Sequence, residues 1–312
     1  MVRPWLLGAC TLLMFGMNSM SPVGPQKVFA LESQLQPPST AGPIIGSTAY
    51  PVDKGVLEIQ PFFILGFTGG SFSPGWRRVS AGKDAVSLEI PVECKYGLIN
   101  NLEVRLVPSY VHNWVSNANL EPGRATSANF GGAGDLQLLL KYLFLKEDDL
   151  KPALSAQGAV TFPTGHHNHL NPNNLGTDQL GGGAYVFTLG LNASKYVPPF
   201  ILYANLRYGM STTARVDELP VRGRDFIRVN LATEYPLGRG WVALVESYSR
   251  WEVGTIFGPR STQRPAALVG ILPGIEYVAI PGWEFELGVA IDLAGKNTDS
   301  KYTPIFTAIY KF

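Results

Sequence analysis

The chain has 312 residues, and its 25 Lys and Arg against 24 Asp and Glu exclude a nucleic-acid binder that works through bulk charge. Charged residues make up 16%, below the roughly 25% usual for soluble domains, while 11% aromatics, 34 Gly and 24 Pro point to many strands and turns. No run of about 18 apolar residues occurs beyond the N-terminus, so no transmembrane helix is expected there.

The first element is a secretory signal peptide over 1–30. Arg3 supplies a positive start, Trp5 to Met17 an apolar stretch, and "VFA" ending at Ala30 a cleavage pattern. A retained anchor, or a lipoprotein box at "LLGAC" with Cys10 as the lipidated residue, is the less favoured reading, because so few residues precede that cysteine. After cleavage at Ala30, Cys94 is the remaining cysteine, so no internal disulfide is expected. Residues 31–54 are rich in Pro, Ser, Gly and Thr and lack a period; they are expected to form an extended or partly disordered leader.

From residue 55 onward, segments of period 2 repeat. They lie near 55–66, 85–97, 102–115, 134–145, 152–163, 183–195, 200–211, 225–236, 241–252, 266–278, 283–294 and 301–312. In "WEFELGVAIDL", Trp283, Phe285, Leu287, Val289, Ile291 and Leu293 share one face, and Glu284, Glu286 and Asp292 the other. "LQLLLKYLF" is blurred, with Leu139 and Leu143 on its polar side. Each segment has about the 9–11 residues, or slightly more, that a tilted strand needs to cross a bilayer. The connections alternate: long at 67–84, 116–133, 164–182, 212–224 and 253–265, short at "LINN", "LKEDDLK", "VPP", "PLGRG" and "IPG", and intermediate at 295–300.

This pattern predicts an all-β fold, a closed antiparallel transmembrane barrel over 55–312 with about twelve strands and both termini periplasmic. A soluble β-sandwich also alternates, but it has no reason to alternate its loop lengths or to set Glu and Arg against aliphatic residues in so many strands. The last strand, "KYTPIFTAIYKF", is expected to close the sheet against the first, with Phe312 at the periplasmic boundary. A C-terminal aromatic is what barrel-assembly machinery reads in barrel proteins as a class, so Phe312 is the expected assembly signal.

"GDLQLLLKYLFL", "KPALSAQGAVTFPTG", "LGTDQLGGGAYVFTLGLNASKYV" and "FILYANLRYGM" follow one another over about 134–211. This order resembles the outer-membrane transporter family named for the phenol meta-degradation pathway. The Asp-Asp-Pro segment often found early in that family is absent, and "YPVDKG" stands in its place. The resemblance implies passage of small, hydrophobic or aromatic molecules, and it carries no site residues over.

The polar faces are expected to line the lumen. The inward acids would be Glu58, Glu89, Glu93, Glu103, Asp135, Glu234, Glu246, Glu276, Glu284, Glu286 and Asp292; the inward bases would be Lys95, Arg105, Lys141, Arg207, Arg228, Arg250, Lys301 and Lys311. They could form a structural salt-bridge network that fills the barrel, or a slightly acidic conduit that prefers cations. His166, His167 and His169 cluster in "HHNHLNPNN", where a solvated loop is favoured over weak metal binding. A hydrolase would need Ser, His and a third group in reach; His112 and Ser109 are expected on opposite faces, and no Gly-x-Ser-x-Gly occurs. The expectation is therefore an outer-membrane channel with no catalysis and no cofactor. Its partners would be outer-membrane lipid, the assembly machinery and a small solute, and not nucleic acid. A structural or adhesive barrel with a closed lumen is the alternative.

Overall fold

A computed structural model of the chain describes residues 40–118, 126–216, 219–222, 225–253, 256–257, 262–263 and 265–312. The expected signal peptide, Cys10 and the first part of the leader lie outside these residues. The wall is built from β1 (Leu57–Phe72), β2 (Asp84–Ile99), β3 (Leu102–Val107 and Ser109–Ser116), β4 (Ala128–Ala133 and Leu136–Leu145), β5 (Ala153–Phe162) and β6 (Val186–Val197). It continues with β7 (Phe200–Ser211), β8 (Asp225–Gly238), β9 (Trp241–Val253), β10 (Ala267–Ile280), β11 (Trp283–Lys296) and β12 (Thr298–Lys311). Each strand pairs antiparallel with its neighbours in sequence, and β1 pairs with both β2 and β12, so the sheet closes into a barrel with no free wall edge. The closure register sets Glu58 opposite Lys311 and Phe63 opposite Phe306, and the Phe312 N–H donates to Leu57 O at 2.8 Å.

Side chains alternate as the sequence predicts. On β11, Leu287 is 52% exposed on the outer surface, while Glu286 is 1% exposed on the inner face. The blurred β4 resolves into an outer row of Leu138, Leu140, Tyr142 and Phe144 and a buried inner row of Leu139, Lys141 and Leu143. Lys141 keeps inner aliphatic neighbours, which is why its pattern blurs. Two aromatic belts ring the outside. Near the short turns stand Trp241 against Tyr277 (4.6 Å) and Trp283 against Tyr310 (4.7 Å); near the long loops His112 stacks on Trp114 at 4.0 Å and Phe162 meets Tyr185. Tyr302 and Tyr310 on β12 belong to opposite belts. Eight residues at about 3.3 Å each, tilted about 40°, separate them by roughly 20 Å, close to the apolar band of an outer-membrane barrel.

Three boundaries differ from the sequence reading: β4 begins at Ala128, inside the expected loop 116–133, and two hairpins run longer than expected. The first strand runs on to Phe72 rather than ending near 66, and the expected intermediate connection at 295–300 is instead strand carried through a tight turn at Asn297, whose φ is +53°. Both hairpins extend past the outer belt, where hydrogen bonding between the strands replaces the loop.

The "GD", "PTG" and "GGG" motifs form a single knot at the long-loop rim. Asp135 Oδ1 accepts the Gly165 N–H (2.9 Å) and Oδ2 the Gly182 N–H (2.8 Å), while Thr164 Oγ1 donates to Gly134 O and accepts from Leu136 N. A Cβ on Gly165 would lie 2.9 Å from the Gly181 Cα, so the two loop ends meet only because both are glycine. The knot ties down the loop 163–185, whose Thr177 and Asp178 are buried and whose Thr177 O accepts from Asn113 of β3.

Candidate functional site

The leader does not hang free. Residues 40–56 enter the lumen at the short-turn rim, rise to mid-barrel and return to start β1. Their backbone would leave N–H groups unpaired inside the barrel, and inward side chains of the wall satisfy them. The Ala41 N–H donates to both oxygens of Glu284 (2.9 and 2.8 Å), Ile45 N and Gly46 N donate to Glu246 (2.9 and 2.8 Å), and Val52 N donates to Glu103 at 3.0 Å. Thr40 Oγ1 donates to Glu234 at 2.8 Å. At the top of the excursion Asn205 grips Ser47 from both sides, accepting its N–H (2.9 Å) and donating to its carbonyl (2.7 Å), and Ala49 N donates to Ser194 Oγ at 2.8 Å. Asn192 links this grip to the wall through Asn205, Ser155 and Gln157.

An apolar contact completes the seat. Ile44 packs among Phe62, Ile201, Tyr203, Leu244, Leu272 and Ile305, all inner-face residues. The exit is equally close. Gly55 N and Gly97 O bond at 2.8 Å, and a Cβ on Gly97 would lie 2.0 Å from the Asp53 carbonyl oxygen, so only glycine lets the returning chain pass β2. At the rim, the Tyr50 hydroxyl donates to Glu147; partial burial, then the neighbouring carboxylate, push its pKa up to about 12.

The remaining inward charges fall into three groups. Beside β2–β4, Lys95 pairs with Glu58 (2.8 Å) and Glu93 (3.2 Å), and Arg105 pairs with Glu93 (2.7 Å) and Glu103 (2.8 Å). Lys141 stands opposite Glu103 in register, and Lys311 reaches Glu58 at 3.7 Å. On β8–β11, Glu234, Glu246, Glu276, Glu284 and Glu286 are all buried on the segment's side. Glu276 and Glu286 stand directly opposite each other, and none of their carboxylate oxygens has a hydrogen bond. Towards the long loops, Arg207, Arg228 and Arg250 stand in register on three adjacent strands. Asp292 accepts from Tyr248 (2.9 Å) and from Lys301 N (2.8 Å), and Glu89 is exposed on the inner face of β2. A cavity of about 720 Å³ lies between the segment and the β1–β7 wall, bounded by Lys95, Arg105, Lys141, Leu139, Phe62 and Arg207.

Of the inward charges, those beside β2–β4 form an ion-pair network, while carboxylates on β8–β11 take a role that neither a salt-bridged filling nor an acidic conduit foresaw: they hold a peptide. The histidines are set apart from them. His166 Nδ1 contacts Asp178 O at 2.7 Å and His167 Nδ1 contacts Gly165 O at 2.6 Å, and among the described residues no group of three or more His, Cys, Asp and Glu could hold a metal ion. Sequence reasoning named Glu103, Glu234, Glu246 and Glu284 as inward acids but missed the neutral residues that grip the segment. Asn192, Ser194 and Asn205 are neutral, and the only trace of them was polar identity at inward positions.

The fold is similar to that of an outer-membrane channel from Pseudomonas putida F1, with a TM-score of 0.70 over 88% of this chain and 100% of that one at 14% identity. Weaker likenesses include the translocator domain of the autotransporter NalP from Neisseria meningitidis (TM-score 0.47, 13% identity, 92% of this chain and 94% of that one). Another is the CymD monoaromatic hydrocarbon channel (TM-score 0.44, 11% identity, 84% of this chain and 89% of that one). No match was found among curated proteins. Residues 94–300, well over half of the chain, match the family described as "Putative MetA-pathway of phenol degradation", and the chain belongs to that family.

Proposed function

We propose that this chain is an outer-membrane channel for small hydrophobic or aromatic molecules, its short turns and both termini on the periplasmic side, with residues 40–52 setting the width of the passage. The observation that carries this reading is the lumen itself: a cavity of about 720 Å³ beside an inserted peptide whose seat is made of wall side chains. A barrel that served only as a scaffold or adhesin would have no need of a cavity beside a peptide held against an apolar and charged wall. The family description supports a solute of aromatic type. The long and short connections support the orientation, since external loops are the long ones in such barrels. Transport is favoured over hydrolysis because Ser109 Oγ donates to Asp135 O on the inner side while His112 stacks on Trp114 in the outer belt. Export by a signal peptide ending near Ala30 and assembly through Phe312 complete the proposal; N-terminal sequencing of the membrane-inserted protein should begin near Leu31.

Planar-bilayer recording tests the channel. The full-length barrel should conduct in small steps, and a variant lacking 40–52 in larger ones. Silence from both, with no solute flux into liposomes, would contradict it.

A further inference from the structure

Arg207, Arg228 and Arg250 are consecutive rungs. Arg207 lies opposite Arg228 and Arg228 opposite Arg250 in the strand register, all on the inner face. Like charges directly opposite each other on one sheet face are unfavourable, so an inward stack of this kind needs a compensating anion. Elsewhere in the lumen the protein supplies it: Arg105 is held by Glu93 and Glu103, and Arg250 contacts Glu252 at 3.7 Å. Among the described residues Arg207 and Arg228 have no such carboxylate, and Arg207 Nε is buried without any hydrogen-bond partner.

The surroundings hold these guanidiniums up. The tip of the Phe226 ring covers Gly209, where a Cβ would come within 2.2 Å of it, and the guanidinium carbons of Arg228 and Arg250 sit 5.0 and 4.3 Å from the ring centre. Gly190 likewise leaves room for the Arg207 stem, since a Cβ there would meet its Cγ at 3.2 Å. The lower end of the stack opens on the cavity, because Arg207 lines it together with apolar Leu139, Phe62 and Ile201. Glu93 and Glu246 act on Arg207 electrostatically without pairing with it, and Arg228 feels only its two arginine neighbours, so among the described residues no carboxylate contacts either guanidinium.

We propose that Arg207 and Arg228 form an anion site above the cavity, and that the solute of this channel is a small organic carboxylate with an apolar body. The carboxylate takes the forked donors of the two guanidiniums, and the body lies against Leu139 and Phe62. This deepens the channel reading and reverses the cation preference expected from the inward charge count.

The test is equilibrium binding of benzoate to the detergent-solubilised full-length protein, with benzylammonium as the matched cation, alongside bilayer currents. Benzoate should bind and benzylammonium should not. Arg228→Gln and Arg207→Gln should each weaken benzoate about tenfold, as expected for losing a charge-assisted hydrogen bond. Arg207→Lys, which keeps the charge but loses the fork, should fall between, and serves if a Gln variant does not fold. Equal binding of both ions, no benzoate binding at all, or Gln variants that bind like the wild type would overturn the site whatever the currents show. Benzoate binding by a barrel that conducts nothing would instead overturn the channel and leave the site standing.

Discussion

Leu287 and Glu286 are neighbours in sequence, yet one faces lipid and the other is sealed inside. Leu287→Arg should destabilise the barrel in bilayers by about 2–4 kcal/mol, the effect of a cation at mid-depth on a barrel exterior. Urea unfolding in liposomes reads this directly. At the inner position the sign changes. Glu276 and Glu286 oppose each other without hydrogen bonds, so Glu286→Gln should be neutral or stabilising by about 0.2–1 kcal/mol, the scale of one cross-strand pair. Gly97→Val should do harm out of proportion to its size, because its side chain would occupy the space of the Asp53 carbonyl. Protease digestion of the reconstituted barrel should then cut within 40–52, where the wild type resists. The inside or outside placement of these residues was legible from alternation alone. That Gly97 exists to let a returning chain pass was not, because a glycine carries no sign of what approaches it.

At the scale of elements, the inserted segment and the knotted loop are held by a few carboxylates each. Glu246 and Glu284 accept backbone donors from 41–46. Replacing both with Ala should loosen the segment by several kcal/mol, taking about 1.5–3 for each hydrogen bond to a charged group. Hydrogen exchange at Ala41, Ile45 and Gly46 should accelerate accordingly. Asp135→Ala should release the loop 163–185 without unfolding the barrel, seen as new proteolysis between 166 and 182. The strands themselves were written plainly in the sequence, since lipid outside and water inside force a period of 2. The leader was not. "TAGPIIGSTAYPVDK" lacks a period because its backbone is satisfied by side chains far away in the chain, and it follows no ladder of its own. The "GD", "PTG" and "GGG" motifs were visible as a family resemblance, but their meeting at Asp135 is a fact of three dimensions.

For the molecule as a whole, the closed wall, the seated segment and the cavity describe a passage narrowed by its own N-terminal region. Ala49 N donates to Ser194 Oγ at 2.8 Å, which places the two residues side by side at the segment's seat. A disulfide between Ala49→Cys and Ser194→Cys would therefore fix the segment to β6 in the lumen; Cys94 stands on β2, its own side chain free of any disulfide. The decisive measurement is the current through that double variant in planar bilayers, before and after dithiothreitol. The reduced barrel should conduct as the wild type does, the oxidised barrel markedly less, and dithiothreitol should restore the difference. Equal currents in the oxidised and reduced states, with the disulfide confirmed, would contradict a segment that governs passage.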